Sequence, residues 1–235
     1  MADRFYTSDA LAPGEYGLSG AEAHHLATVR RFAPGDRIVL FNGDGNDYPA
    51  EVIAPDRKQT VLNVLSVEPI SRELPFRLEI AAAMPKGDRG DFLIEKLVEL
   101  GVARFTPLRT ERTIVQPKES RLDKLQQTVI EASKQSGRNV LMRIGPLTRW
   151  EDYLKERTTG FRAILHPGLE ATAAFAIPEA GITFAVGPEG GFTPGEVNAA
   201  EAAGWLRMSL GPRVLRVETA AIAAASWATF SNPVA

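Results

Sequence analysis

The sequence contains no cysteine and only three histidines among its 235 residues. A chain without thiols forms no disulfides and offers no thiolate metal ligand or cysteine nucleophile. The three histidines are His24, His25 and His166, and the adjacent pair lies in a segment unrelated to that of His166. Because a zinc site needs ligands at characteristic spacings, we expect no metal site.

Long apolar runs are also missing. No stretch approaches the ~20 apolar residues of a membrane helix, and the amino terminus lacks the hydrophobic segment of a secretory signal. The 44% hydrophobic and 24% charged residues are typical of a globular protein with room for one large or two small domains. We therefore expect a cytoplasmic protein with no membrane partner.

The chain has no overall excess of positive charge, since its formal net charge is −2. The charge is unevenly distributed, however: −4 over residues 1–70, +5 over 71–150 and −3 over 151–235. A basic middle third can supply a phosphate-binding face, or its cations can pair with glutamates on solvated helices. Composition leaves both open for the cations crowded there, which are Arg104, Arg109, Arg112, Lys118, Arg121, Lys124, Lys134, Arg138 and Arg143.

Short strands and turns dominate the first 70 residues. Apolar runs at residues 37–41 and 48–53 flank an Asn- and Gly-rich turn at 42–46, which predicts a hairpin, and residues 60–67 predict a further strand. Ser19 and Glu22 have the spacing of a capping box that opens a helix over 22–31. We predict a small β-barrel domain over residues 1–70, joined by a proline-bounded linker at 69–75.

From residue 76 strands alternate with helices. This rhythm predicts a mainly parallel sheet with helices on both faces, so residues 71–235 form an α/β domain. The helix expected at 89–100 should bury Phe92, Leu93, Leu97 and Leu100 on one face. Alanine clusters at 171–176 and 220–225 favour packed helices. The predicted strands are 76–83, 104–108, 161–165, 182–186 and 206–210, and a second helix is predicted at 122–136.

A glycine-rich loop follows the strand at 182–186. It reads Gly187-Pro-Glu-Gly-Gly-Phe-Thr193 and leads into a helix with Thr193 as N-cap, Pro194 at N1 and Glu196 at N3. The strand at 206–210 also ends in a glycine turn. We predict that the two strand ends lie side by side and form a ligand crevice at the carboxyl edge of the sheet. Neither the dinucleotide fingerprint nor the P-loop pattern is present, so nucleotide hydrolysis is not favoured.

Several motifs in the same order carry a family resemblance. They are the glycine loop 187–193, Leu210-Gly-Pro-Arg-Val-Leu-Arg-Val-Glu-Thr-Ala220, His24-His25-Leu26, Lys86-Gly-Asp-Arg89 and Glu131-Ala-Ser-Lys-Gln-Ser-Gly-Arg138. With them the sequence resembles, over nearly its whole length, the SPOUT-class methyltransferases that methylate N3 of a uridine in 16S ribosomal RNA. Val217 departs from the small polar residue expected there, and residues 139–143 lack an expected proline.

The resemblance implies a PUA-like β-barrel that recognises RNA and a trefoil-knotted α/β domain that binds S-adenosylmethionine. It also implies a homodimer with the active site at the subunit boundary, for which the apolar helix at 217–230 is a candidate interface. Carried over by motif, the cofactor-binding residues are Leu165, His166, Gly187, Pro188, Glu189, Gly190, Gly191, Leu210, Gly211, Val214, Leu215 and Thr219.

The implied chemistry places demands on the side chains. N3 of uridine lies on the Watson–Crick edge and carries a proton, so the base has to be unpaired and deprotonated. We hypothesise that Arg216 stabilises the uridine anion and that Glu218 orients the base or receives the proton. A helix cap or an ion pair with Arg216 is the alternative role for Glu218. The expected RNA contacts are Arg4, Arg31, Lys86, Arg89, Arg112 and Arg138.

Two other functions stay open from the sequence. A non-catalytic ribosomal RNA-binding assembly factor would keep the fold and bind RNA without the cofactor, although the intact glycine loop does not favour it. A sibling enzyme of the same fold would act on transfer RNA or at a ribose 2′-hydroxyl.

Overall fold

The computed structural model describes residues 3–114, 119–156, 160–168 and 178–231. The chain divides into two compact units: an amino-terminal unit of residues 1–73 and 133–141, and a carboxy-terminal unit of residues 74–132 and 142–235. The alanine cluster at 171–176 and the cation Lys118 lie outside the described ranges. Over those ranges no helix combines the length and hydropathy needed to cross a bilayer.

The amino-terminal unit is built on a five-stranded sheet. The strand order is β1-β3-β4-β5-β2, and β1 runs parallel to β3 while the other pairs are antiparallel. The hairpin predicted between β3 and β4 is confirmed. Its turn is built by side chains, because Asn42 Oδ1 accepts a hydrogen bond from the Asp44 amide and Asp44 Oδ1 accepts one from the Asn46 amide. The strands are β1 Arg4–Tyr6, β2 Gly14–Ser19, β3 Arg37–Phe41, β4 Tyr48–Ala54 and β5 Gln59–Val64.

The helix predicted at 22–31 differs in three respects. An α-helical turn, α1 at Gly20–His24, continues as a π-helical segment at His25–Arg30, and Arg31 ends it with a left-handed φ of 56°. The predicted capping box is wrong, since the Ser19 side chain makes no cap hydrogen bond. The Glu22 carboxylate instead accepts a hydrogen bond from Lys134 Nζ at 2.8 Å. A long-range ion pair has thus replaced the local cap.

A buried carboxylate organises the polar interior of this unit. Asp47 is 3% exposed, and both of its oxygens accept hydrogen bonds. Arg4 donates to both oxygens at 2.7 and 3.0 Å, Arg72 to Oδ2 at 2.9 Å and Asn139 to Oδ1 at 3.1 Å. Burial alone would raise the pKa of Asp47, but the bonds and charges of Arg4 and Arg72 outweigh it and lower the pKa below its ordinary value. The chain segment 133–141 is therefore tied to the sheet by charge-assisted bonds.

The carboxy-terminal unit confirms the predicted alternation of strands and helices. Its sheet follows the order β12-β10-β11-β6-β7-β8, with β9 also on β7, and every pair is parallel. The strands are β6 Leu78–Ala83, β7 Arg104–Arg109, β8 Arg143–Ile144, β9 Thr148–Arg149, β10 Phe161–Leu165, β11 Ile182–Val186 and β12 Leu206–Met208. The helices are α2 Arg89–Glu99, α3 Glu119–Ser136, α4 Trp150–Tyr153, α5 Pro194–Ala202 and α6 Val217–Ser231.

The amphipathic helix α2 packs against the apolar helix α6, and α6 also packs on β6 and β11. Most of α2 follows the predicted face, but Phe92 is 48% exposed while Ile94 and Val98 are buried in its place. The prediction for Phe92 is therefore wrong. Four alanines of α6 are buried within its own unit, whereas Phe230 near its end is 73% exposed; the four are Ala221, Ala224, Ala225 and Ala228. Burial within the unit accounts for most of this helix's apolar surface.

The order of the strands corrects one expectation about the crevice. The two strand ends that carry glycine turns, β11 and β12, do not lie side by side, because β10 runs between them and pairs with both. Chain spacing could not reveal this, since strand order depends on which crossovers the chain makes. Three neighbouring strand ends, rather than two, therefore meet at this edge of the sheet.

Candidate active site

A cleft of about 240 Å³ lies at the carboxyl ends of β10 and β11 and along the chain that joins β12 to α6. This is the edge where open parallel sheets bind ligands. Its wall is mixed, with leucines, valines, bare glycine backbone and one carboxylate. The lining residues are Leu165, His166, Pro167, Val186, Gly187, Pro188, Glu189, Gly190, Gly191, Leu210, Gly211, Arg213, Val214, Leu215, Val217 and Ala220.

The glycine loop has its shape because side chains are excluded from it. A Cβ on Gly187 would lie 3.0 Å from the Phe192 amide nitrogen, so the loop can fold back on itself only with glycine there. Gly191 has a φ of 68° and closes a turn in which its amide donates to the Pro188 carbonyl at 2.7 Å. A Cβ on Gly191 would meet nothing within 4 Å. The backbone at Gly191 is thus open to the close approach of a ligand.

The helix after this loop is anchored as predicted. Thr193 Oγ1 accepts from the Glu196 amide, and Glu196 Oε2 accepts from the Thr193 amide at 2.8 Å, which completes the capping box. Glu196 Oε1 also accepts from the Glu111 amide at 2.8 Å. Both oxygens of Glu196 are therefore held by backbone donors, which fixes the exit of the loop.

Arg112 braces the outer side of the loop. Its Nη1 donates to the Gly190 carbonyl at 2.7 Å, and a Cβ on Gly190 would lie 3.3 Å from Arg112 Cδ. The aliphatic part of the Arg112 side chain therefore packs where a side chain at position 190 would sit. This contact holds the peptide of Gly190 in one orientation.

Every residue predicted to bind the cofactor lines the cleft, except Thr219, which is exposed. Sequence reasoning assigned no role in the cleft to Val186, Arg213, Val217 or Ala220. A signal for the last two was present, because residues three apart on a helix share one face, and Val217 and Ala220 begin α6.

Glu218 is buried beside Val217, with a residue exposure of 7%. Its Oε1 accepts a hydrogen bond from Arg89 Nη1 at 3.3 Å, whereas its Oε2 is buried with no hydrogen-bond partner among the described residues. Arg89 Nη2 also lies 3.9 Å from Oε1 of Glu189 on the glycine loop. The ion-pair partner of Glu218 is thus Arg89 and not Arg216, which corrects that alternative. The first turn of α6 adds favourable dipole potential for the carboxylate.

Arg216 ends the connection into α6 and is exposed. Its carbonyl accepts from the Ala220 amide at 2.8 Å, which starts the helix, and its side chain does not line the cleft. Within the part of the chain that the structure describes, Arg216 makes no ion pair.

The six predicted RNA contacts fall into three groups. Arg4 and Arg138 are buried and neutralised, Arg4 by Asp47 and Arg138 by Glu73 at 2.5 Å, so they have structural roles in the amino-terminal unit. Arg89 and Arg112 hold parts of the site. Arg31 and Lys86 are exposed, and neither makes an ion pair with a described residue. Arg112 is exposed as well, so Arg31, Lys86 and Arg112 are the side chains of this set that are left accessible to a phosphate.

The basic middle third is partly neutralised in the same way. Arg121 pairs with Asp91 at 3.0 Å, and Arg104 lies 3.5 Å from Glu156. Lys134 and Arg138 pair with Glu22 and Glu73. Across the described ranges no group of three or more histidines and carboxylates could hold a metal ion.

Comparison with known proteins matches both parts of the chain to RNA methyltransferases. The RNA methyltransferase domain family matches residues 72–229, and the RNA methyltransferase PUA domain family matches residues 18–65. Ribosomal RNA small subunit methyltransferase E from Synechocystis is 34% identical over 86% of this chain and 69% of its own length. The Bacillus subtilis protein of that name is 30% identical over 90% of this chain and 88% of its own.

A solved structure agrees with these matches. The crystal structure of a ribosomal RNA small subunit methyltransferase E from Neisseria gonorrhoeae, bound to S-adenosyl methionine, has a TM-score of 0.88 at 31% identity and covers 96% of each chain. The predicted fold class, a parallel-sheet α/β domain preceded by a small PUA-like β domain, is thereby confirmed, while the knot stays a prediction. With a cleft at the expected sheet edge and these matches over nearly its whole length, the chain belongs to the RNA methyltransferase family that includes the ribosomal RNA small subunit methyltransferases E.

Proposed function

We propose that this protein transfers the methyl group of S-adenosylmethionine to N3 of a uridine in 16S ribosomal RNA. The observation that carries the proposal is the cleft, whose glycine loop and leucine-lined walls stand where a parallel sheet binds ligands. Membership of the RNA methyltransferase family and the S-adenosyl methionine bound to the Neisseria relative support it.

The residues of the cleft fit this cofactor. Bare backbone at Gly191 and Gly211 leaves room for a ligand to approach, since a Cβ at either position would meet nothing within 4 Å. Leu165, Leu210 and Leu215 offer apolar contact to an adenosyl group. The Glu189 carboxylate is half exposed in the wall and suits a cationic ligand. When bound, the cofactor supplies a methyl group on a positively charged sulfur.

Glu218 is the residue we propose for the proton of N3. Methylation at N3 replaces a proton with a methyl group, so an acceptor is required as the new bond forms. The Glu218 carboxylate has one oxygen fixed by Arg89 and one without a partner among the described residues. Arg216, for which we predicted stabilisation of the uridine anion, does not reach the cleft wall, and its exposed side chain suits contact with RNA outside the cleft.

We further propose that the PUA-like unit recognises RNA, with Arg31 there and Lys86 in the carboxy-terminal unit as phosphate contacts. Both are exposed cations: Lys86 begins the Lys86-Gly-Asp-Arg89 motif of the resembled family, and Arg31 follows its His24-His25-Leu26 motif. A cytoplasmic homodimer completes the proposal, and Phe230 is the exposed apolar residue of α6 available to a second copy. Sedimentation of a monomer at micromolar concentration would contradict the dimer.

The cofactor site is tested by isothermal titration of S-adenosylmethionine into wild type and Gly190→Val. A branched side chain at position 190 collides with Arg112, so we expect the variant to lose measurable binding. Gly195→Ala is the matched control, because a Cβ there makes only an ordinary 3.9 Å contact with Thr193 Oγ1. Circular dichroism verifies that all three proteins are folded.

The reaction is tested by mass spectrometry of nucleosides from 16S ribosomal RNA after incubation with protein and cofactor. We expect 3-methyluridine with wild type. A methyl group on a ribose, or only on transfer RNA, would replace the proposal with the sibling enzyme. Tight RNA binding with no cofactor binding in any protein would identify a non-catalytic assembly factor instead.

A further inference from the structure

We propose that Arg89 is a positioning residue for the proton acceptor, and not one of the RNA contacts. It holds Oε1 of Glu218, which leaves the buried and unpartnered Oε2 as the oxygen that we assign to the N3 proton among the described residues, and it lies near the cofactor loop through Glu189. This inference rests on the proposed function and goes beyond it by giving Arg89 a role in the chemical step.

The first support is the geometry of the guanidinium. Its two terminal nitrogens serve different carboxylates, since Nη1 lies 3.3 Å from Glu218 Oε1 and Nη2 lies 3.9 Å from Glu189 Oε1. Glu189 lines the cleft, whereas Glu218 is not itself a lining residue but follows Val217, which is one. Arg89 therefore spans from the glycine loop to the first turn of α6.

The second support is the unequal state of the two Glu218 oxygens. A buried carboxylate is stable only when its charge is compensated, and Arg89 provides the compensating ion pair among the described residues. A buried oxygen without a donor is costly, and in native proteins such groups are often functional. With Oε1 fixed and Oε2 unpartnered, the carboxylate has one acceptor and one restrained orientation.

The third support is that the positive charge of Arg89 is already compensated, which makes it a poor contact for an RNA phosphate. Its side chain is 36% exposed, and two carboxylates lie within 4 Å of its guanidinium, so its charge is already compensated inside the protein. Lys86 on the preceding loop is exposed without a paired carboxylate in the described ranges. A phosphate is therefore attracted more strongly to Lys86 than to Arg89.

Arg89 supports the removal of the N3 proton during methyl transfer. The N3–H bond of uracil breaks and its proton goes to Glu218 Oε2. The N3 electron pair forms the bond to the methyl carbon, and the carbon–sulfur electron pair stays on sulfur, which becomes a neutral thioether. Glu218 then returns the proton to water. If the Glu218 carboxylate rotates away from N3, the proton transfer slows, whereas binding of the cofactor and of the RNA does not change.

The experiment compares Arg89→Met, Arg89→Lys and Glu218→Gln with wild type in single-turnover methyl transfer at saturating RNA. Lys96→Met is the matched control, since it removes a paired cation at the other end of the same helix. The RNA is a 16S transcript, free and reconstituted into small subunits, made with uridine or with 5-fluorouridine. Fluorine makes the N3 proton more acidic, which relieves a defect in proton removal. It also lowers the nucleophilicity of N3, but it does so in wild type and variants alike, so the difference between proteins reports proton removal.

We expect Arg89→Met to lower the single-turnover rate constant on the order of 10²-fold, the usual cost of a misplaced catalytic group. The affinity for S-adenosylmethionine and the salt dependence of RNA binding should stay as in wild type. 5-Fluorouridine should accelerate Arg89→Met and Glu218→Gln more than wild type or Lys96→Met. Arg89→Lys should recover part of the rate, because an ammonium keeps the charge but loses the planar fork that spans both carboxylates.

Two results would overturn the inference while the proposed function stands. One is an Arg89→Met protein with an unchanged rate at saturating RNA, weaker RNA binding and a shallower salt dependence, which would make Arg89 a phosphate contact. The other is a slow Arg89→Met protein that 5-fluorouridine accelerates no more than it accelerates wild type or Lys96→Met, which would make the role of Arg89 purely structural. A wild-type protein that forms no 3-methyluridine would instead remove the proposed function, and the inference with it.

Discussion

Two buried carboxylates, Asp47 in the amino-terminal unit and Glu218 in the carboxy-terminal unit, show how the same chemical group serves structure in one place and function in another. Asp47 accepts four hydrogen bonds from Arg4, Arg72 and Asn139, so no acceptor capacity is left over. Glu218 accepts one bond from Arg89 and keeps a buried oxygen without a partner among the described residues. Burial alone therefore does not distinguish the two roles, whereas the satisfaction of each oxygen does.

Replacing Glu218 by Gln gives the largest effect that this comparison predicts. We expect the methyl-transfer rate constant to fall about 10²–10⁴-fold, the range that positioned general bases contribute. The free energy of unfolding should change little, because Arg89 is partly exposed and water can solvate it. A radiolabelled methyl-transfer assay measures the rate, and urea unfolding followed by tryptophan fluorescence measures the stability.

Tryptophan fluorescence is suitable here because Trp150, Trp205 and Trp227 all belong to the carboxy-terminal unit. The exposed Glu201→Gln is the matched control for charge loss. A Glu218→Gln protein with the wild-type rate would remove Glu218 from the chemistry and break the comparison.

Asp47→Ala should show the opposite pattern, with a large loss of stability in the amino-terminal unit. Removing one member of a buried ion pair leaves Arg4, with a side chain only 5% exposed, without its counter-charge, which costs about 3–5 kcal/mol. Hydrogen exchange of peptides from β3 and β4 measures the loss in this unit, which contains no tryptophan. Asp152→Ala, which breaks an exposed pair with Lys155, should change stability by less than about 0.5 kcal/mol. Equal protection from hydrogen exchange in Asp47→Ala and wild type would show that the hydrogen bonds to Asp47 do not stabilise this unit.

Acid should lower the stability of the amino-terminal unit by protonating Asp47. The pKa of Asp47 is lower in the folded protein than its ordinary value of 3.8, so its contribution to stability is present above about pH 4 and is lost as the pH falls through the folded pKa. Burial alone would raise the pKa of Asp44, but hydrogen bonds from Tyr48, from the Asn46 amide and from the side chains of Asn46 and Asn42 lower it, so Asp44 adds a dependence of the same sign. We expect Asp47→Asn to flatten the acid limb of an unfolding curve between pH 5 and 2 without abolishing it. An unchanged acid limb would contradict the assignment to Asp47.

The elements best predicted from sequence were those bounded by turn residues or helix caps close by in the chain. The strands at 37–41, 161–165 and 182–186 agree with the structure at both ends, since each is a short apolar run beside turn residues. The start of the helix at Pro194 was predicted to the residue, because its capping box, proline and glycine loop act within one turn of chain. Local chemistry also located the glycine loop at the carboxyl edge of the sheet, whereas most of the individual cleft residues were predicted from the family resemblance.

What could not be predicted depends on distant parts of the chain. The two-residue strands β8 and β9 are too short to have a period, and the π-helical segment at His25–Arg30 has no local signature. Arg89 meets Glu218 across 129 positions, and Arg4 meets Asp47 across 43. No periodicity encodes such pairs, so arginines that the sequence suggested for RNA were found holding carboxylates.

A third carboxylate, Glu196, gives the smallest and most discriminating prediction. It lies beside the cleft's glycine loop, yet both of its oxygens accept backbone hydrogen bonds, from Thr193 and Glu111. If the hydrogen bonding of both oxygens decides whether a carboxylate is structural or catalytic, Glu196→Gln should affect stability and not catalysis, although Glu196 lies near the site. We expect a loss of stability of about 1–2 kcal/mol, because the amide keeps one acceptor and turns a donor toward the other backbone N–H. The single-turnover rate constant should stay close to that of wild type, and urea unfolding with the same methyl-transfer assay measures both quantities. A fall in rate as large as that of Glu218→Gln, with stability unchanged, would show that proximity to the cleft and not hydrogen-bond satisfaction separates the two kinds of carboxylate.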